Sequence, residues 1–201
     1  MTKRLIALTG AAAMAMLAFA SAAAADPPTK VENFTLLDQA GAAHELYSLS
    51  DAPAIVIATQ ANGDPLSREG AKTLEELKSM FGKAEYIMLN SSPSDTRSTI
   101  AAEAAALHAT IPILDDADQR VALALGAKQT GEAYVIDPIS WQIVYHGPVN
   151  TAAAADPETQ FVLFNALTYF MSHRPMDETA SAVKGTPIVI SSHAQSPGAA
   201  N

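Results

Sequence analysis

The 201-residue chain contains no cysteine. That absence excludes disulfides, thiolate metal sites, iron–sulfur clusters and every mechanism that needs a cysteine nucleophile. Positive charge is scarce. Lys and Arg number 12 against 21 Asp and Glu, a formal net charge of -9, which speaks against binding a phosphate backbone or an anionic membrane surface. After the first 25 residues no apolar run reaches the ~20 residues of a membrane span. Charged residues make up only 16% and hydrophobic ones 49%, so the chain is neither a disordered polymer nor short of material for a core.

Residues 1–25 read as an export signal. Lys3 and Arg4 supply the charged start, Leu5 to Phe19 the apolar stretch, and Ala23 and Ala25 the small residues of a cleavage site before Asp26. With no lipobox cysteine, the expected product is a soluble, exported protein, most simply periplasmic, with no membrane insertion once the signal is removed. Residues 26–174 form one domain in this reading. Residues 175–201 form a C-terminal extension rich in Ser, Gly, Pro and Ala near its end, expected to be largely loose.

Within the domain the pattern is that of an α/β fold. Phe34–Leu37 and Glu45–Leu49 around Asp38-Gln39-Ala40-Gly41 predict an N-terminal hairpin. Ala54–Thr59 and Tyr86–Asn90 are continuous apolar runs, as strands buried on both faces require. Between them, Asp64 and Pro65 open a helix as N-cap and first residue, and Leu74, Leu77 and Phe81 mark its apolar face up to Gly82. Ser94-Asp95 opens a second helix carrying Ile100, Ala104 and Leu107. Ile111–Asp115 is a short strand, and Gln119–Leu125 a brief helix closed by Gly126. Ala133–Asp137 and Trp141–Gly147 form a hairpin turning at Pro138. Pro157–Ser172 predicts a last helix with Phe161, Phe164, Leu167 and Phe170 on its buried face.

In order and spacing these segments resemble the redoxin branch of the thioredoxin-like superfamily, the group holding peroxiredoxins of the alkyl-hydroperoxide-reductase/thiol-specific-antioxidant type. Phe34-x-Leu-x-Asp38-x-x-Gly41 is similar to the family's opening hairpin. Asn62-Gly63-Asp64-Pro65-Leu66-Ser67-Arg68 is similar to its active-site turn. Pro112–Asp116, Val121-Ala122, Leu125-Gly126, Thr130–Asp137 and Trp141–Gly147 resemble its later segments. The resemblance spans Val31 to Arg174. It implies a thioredoxin-like fold, a central mixed sheet flanked by helices, and it implies departures at the reactive positions. Asp64 stands where the family carries its redox cysteine, and Gly131 stands where thioredoxin-like proteins usually place a proline beside the substrate groove. Gly185-Thr186-Pro187-Ile188 matches a C-terminal segment in which some exported relatives carry a second cysteine, with Thr186 in its place. A lowered thiol pKa at a helix N-terminus is the basis of that chemistry, and here no sulfur exists to be tuned.

Other chemistries find little footing. Asp64 reads first as a helix cap, and Arg68 as the partner of either Asp64 or Glu69. His44, His108, His146, His173 and His193 show no metal-ligand spacing, and the methionines outside the leader are scattered. Asp115, Asp116 and Asp118 lack the glycine and distal glutamate of a calcium loop, and Ser67 has no histidine at a readable spacing. No cofactor and no catalytic residue is expected. Asp64, Pro65, Arg68, Gly131 and Thr186 read as degenerate active-site positions in an accessory or binding subunit of a larger periplasmic protein, for example an oxidoreductase or dehydrogenase. The alternative is a non-thiol enzyme or metal carrier using Asp64 and a histidine brought near by folding.

Overall fold

The computed structural model describes residues 29–159, 162–176, 178–192 and 194. The expected leader, together with Phe161 and His193, lies outside the described residues. A seven-stranded mixed sheet runs in the order β2-β1-β5-β4-β3-β6-β7. Inside it β3 (Ile55–Gln60) is parallel to the central strand β4 (Glu85–Asn90) on one side and antiparallel to β6 (Glu132–Ile136) on the other. Every residue of β3 is buried, which is why its sequence is continuously apolar rather than alternating. Beyond β4 lies parallel β5 (Ile113–Asp115), then antiparallel β1 (Thr35–Asp38) and β2 (Ala43–Glu45). At the other edge β7 (Ile143–Pro148) pairs with β6.

Among the described residues four α-helices complete the layers. The crossover β3–β4 carries α1 (Pro65–Met80), and β4–β5 carries α2 (Arg97–Leu107). With α4 (Leu163–Met171) they cover one face, where Leu74, Leu77, Ile100, Leu163 and Leu167 meet Val56, Ala58 and Met88. On the opposite face α3 (Arg120–Leu125) and Leu46 pack on Ile55, Ile57, Leu89 and Tyr134. Side chains alternate between the two cores along β3, as the two-residue period of a strand dictates.

Three expectations are corrected. The second strand ends at Glu45, and Leu46–Leu49 is a 3-10 turn instead. Leu46 turns inward to full burial, its N–H bonded to Phe34 O, while the Ser48 hydroxyl donates to Glu45 O and tightens the turn. The last helix begins at Leu163, and its buried residues are Leu163, Ala166 and Leu167. Phe164 is outside that face, 43% exposed and tilted against Phe81 at 6.0 Å. Finally, residues 178–192 are not loose. They run back over the domain as a strap. His146 N–H donates to Thr179 O, Lys184 N–H to Ala153 O, Thr130 N–H to Thr186 O and Ile188 N–H to Lys128 O, while the Gln129 amide donates to Val183 O. These backbone bonds need no apolar periodicity, so polar composition concealed them.

Candidate functional site

The site is assembled where β3 ends. After Gln60 the chain turns through Ala61, Asn62 and Gly63, whose φ of +74° suits glycine. Asp64 follows in an extended conformation (φ -71°, ψ 124°), and Pro65 takes the first helical position, where its missing N–H costs nothing. This is the cap geometry expected from the sequence. Asp64 Oδ2 accepts from Ser67 N–H at 2.7 Å.

The carboxylate accepts three further hydrogen bonds, all from hydroxyls. Ser67 Oγ donates to Oδ2 at 2.7 Å, Thr130 Oγ1 to Oδ2 at 3.0 Å, and Thr186 Oγ1 to Oδ1 at 2.7 Å. Thr130 comes from the loop before β6 and Thr186 from the strap. The strap is pressed so closely here that a Cβ on Gly185 would sit 2.0 Å from Thr130 O. Partial burial pushes the Asp64 carboxyl upward, but the Ser67 and Thr186 hydroxyls, with the Ser67 amide and Thr130, outweigh it and hold the pKa below the ordinary 3.8. The helix N-terminus adds to the same effect.

Chemically, this is a quenched carboxylate. Four donors reach this one, three at Oδ2 and one at Oδ1, against the about four lone-pair sites that an ionised carboxylate offers. A carboxylate so engaged, and made less basic by it, is a poor general base and a poor nucleophile. No partner of Asp64 is a histidine, and among the described residues no cluster of three or more His, Asp or Glu is placed to hold a metal ion.

The remaining predicted positions divide. Gly131 adjoins Thr130, with a φ of +78°. Its N–H donates to Thr59 O at 3.0 Å and its carbonyl accepts from Val149 N–H at 3.0 Å. Arg68 leaves the site, contrary to both expected pairings. Its Nε donates to Glu103 Oε1 at 2.8 Å and its Nη2 to Glu103 Oε2 at 2.9 Å, a two-pronged pair between α1 and α2. Glu69 is occupied by Lys72. Glu103 is buried and also accepts from Gly63 N–H at 3.2 Å. The Arg68 guanidinium, against the opposing effect of burial, holds its carboxyl low. Arg68 thus braces the turn that presents Asp64.

Sequence reasoning missed Thr130 and Glu103. Thr130 could have been found, since it immediately precedes Gly131. Glu103 carries no local signal, because its partner lies 35 residues away on another helix.

Residues 27–150 match the AhpC/TSA family. No protein of curated function shows detectable sequence similarity to the chain. Among solved structures, a hypothetical protein of Sinorhizobium meliloti is similar at 25% identity and a TM-score of 0.60, over 81% of this chain and 90% of its own. The peroxidoxin BcpB of Mycobacterium tuberculosis superposes with a TM-score of 0.56 at 19% identity, over 73% and 94%. A protein of Chlorobium tepidum provisionally named thiol:disulfide interchange protein DsbE gives a TM-score of 0.60 at 14% identity, over 73% and 98%. These last two show the thioredoxin-like fold. With that fold, and with the family matched over most of its folded domain, the chain belongs to the AhpC/TSA family as a member without cysteine.

Proposed function

We propose that this protein is an exported, non-catalytic redoxin that serves as an accessory or binding subunit of a larger periplasmic protein, of which an oxidoreductase or dehydrogenase is the kind most in keeping with the fold. One observation carries the reading. Where the resemblance puts the family's reactive sulfur stands a carboxylate that already accepts four hydrogen bonds, three at Oδ2 and one, from the strap, at Oδ1. A scaffold kept while its reactive centre is filled by hydrogen bonds is suited to presenting a surface. Export rests on the charged, apolar and Ala-x-Ala pattern of residues 1–25.

Two measurements test this. In gel filtration of the native periplasmic extract, the chain should elute well above the mass of a monomer and co-elute with one larger protein after cross-linking. A sharp monomer peak overturns the accessory role. The purified protein should consume no peroxide in the presence of thiols, since no attacking thiolate exists. Consumption that scales with its concentration overturns the non-catalytic reading.

A further inference from the structure

We propose that Asn62 is a site of self-modification, losing its side-chain amide to attack by the backbone nitrogen of Gly63, at a rate set by the grip of Glu103 on that nitrogen. The inference concerns the turn ahead of Asp64 and does not rest on the accessory reading.

Asn62-Gly63 is the single asparagine–glycine pair in the chain. Asn33, Asn90, Asn150 and Asn165 are followed by Phe34, Ser91, Thr151 and Ala166. The following residue matters because its nitrogen must reach the side-chain carbonyl carbon of the asparagine. A side chain there crowds the approach and narrows the backbone angles that permit it, and glycine does neither. The pair lies in the turn between β3 and α1, outside any helix or strand. Gly63 is exposed, and a Cβ on it would meet no atom within 4 Å. A ring closing at this nitrogen grows into open space, within reach of water.

The step needs no reagent but water and involves no oxidation or reduction. Base in the solvent takes the Gly63 N–H proton, and Gly63 N bonds to Asn62 Cγ. The bond from Cγ to Nδ2 then breaks, and the nitrogen takes up a proton and leaves as ammonia. Water opens the resulting succinimide at either carbonyl, leaving aspartate or isoaspartate at position 62.

The restraint is particular to this fold. Gly63 N–H donates to Glu103 Oε1 at 3.2 Å, and Glu103 is buried and clamped by Arg68. The Asn62 side chain is held by two long bonds only, from its Nδ2 to Thr99 Oγ1 at 3.2 Å and from Asn90 Nδ2 to its Oδ1 at 3.3 Å. Its carbonyl is free to swing once those open, whereas the attacking nitrogen stays engaged until Glu103 releases it. Glu103 does not assist the reaction. Arg68 holds its carboxyl low, which makes it a poor acceptor of the Gly63 proton, and a nitrogen stripped of that proton would face a like charge.

The product bears on the site. Asn62 N–H donates to Asp95 Oδ2 at 3.0 Å. A carboxylate at position 62 loses the donor to Thr99 and adds negative charge near Asp95. Isoaspartate also lengthens the main chain just ahead of the Asp64 cap.

The test is peptide mapping by mass spectrometry of the folded protein, held for weeks in warm, mildly alkaline buffer. Asn62 should convert ahead of every other asparagine, to both aspartate and isoaspartate. Glu103→Leu should raise its rate about tenfold, the effect of one lost hydrogen bond to a charged group, with the rates at Asn150 and Asn165 unchanged. Should that variant fail to fold, the unmodified protein decides. Its Gly63 amide should exchange hydrogen about tenfold more slowly than in a short peptide of the same sequence, and Asn62 should convert more slowly than in that peptide by a similar factor. Conversion at Asn62 no faster than at Asn33 overturns the site. A Glu103→Leu rate equal to that of the unmodified protein, a rise at all asparagines together, or a Gly63 amide exchanging as in the peptide overturns the role of Glu103.

Discussion

Asp64 is held by four donors that would serve a thiolate equally well. The Ser67 amide and the Ser67 and Thr130 hydroxyls meet at Oδ2, and the Thr186 hydroxyl meets Oδ1. Asp64→Cys should therefore give a thiol that ionises below the reference value of about 8.5, because all four donors favour the charged form. The protein has no other cysteine, so alkylation rate against pH reads this group alone. A thiol pKa at or above the reference would show that the four donors do not act on that position. The stability cost should be about 1 kcal/mol or less, the scale of a lost cap. Asp64 and Pro65 were legible in the sequence because capping is a local affair, decided within a few residues of a turn. Glu103 was not, since its partner Arg68 lies 35 residues away on another helix.

The loop that leads into β6 at the site is shaped by Gly131. Gly131 has a left-handed backbone, and its N–H is bonded to Thr59 O. Restoring the residue that thioredoxin-like proteins usually carry, by Gly131→Pro, should fail on both counts. Proline fixes φ near -65° and has no N–H. We expect a loss of about 3 kcal/mol or more, read as a lower urea midpoint, and faster hydrogen exchange at the neighbouring Val149 amide, which donates to Gly131 O. An unchanged midpoint would mean that this loop can readily adopt the usual conformation. The helices and strands of the domain were legible from their apolar runs and stop signals. The phase of α4 was not, because Phe161, Phe164, Leu167 and Phe170 all invite burial, and only the packing of Leu163 and Ala166 on the sheet chooses between faces. The 3-10 turn at Leu46 escaped for a related reason. A run alternating like a strand was ended by one leucine drawn into the core.

At the scale of the whole molecule, the family match stops at residue 150, whereas the strap begins beyond it. The two-faced sheet supplies most of the buried apolar surface, and the strap contributes chiefly backbone hydrogen bonds, the buried Val183 and the partly buried Ile188. A chain ending at Arg174 should accordingly still fold cooperatively, with a Tm lower by on the order of 5–10 °C. Calorimetry of the two lengths checks this. An unchanged Tm would reduce the strap to a passive covering, and loss of the transition would make it part of the core. The sheet was readable from composition and periodicity, since burial on two faces leaves a mark on sequence. The strap was not. Its interactions fall on main-chain groups that every residue carries alike.

The hydrogen bond between Asp64 and Thr186 joins residues 122 apart in sequence. Closing so long a loop costs little more at equilibrium than closing one half its length, because that entropy grows only logarithmically. In time, however, the order is fixed. The chain is made from its amino end, and domains begin to fold as they emerge. The sheet and the turn bearing Asp64 are complete long before Thr186 is synthesised. Until then Asp64 can reach only Ser67 and Thr130 as donors. The finished site is thus a record of length. Only a chain translated past Thr186 carries it, and a product broken off between Arg174 and Thr186 leaves that carboxylate one partner short.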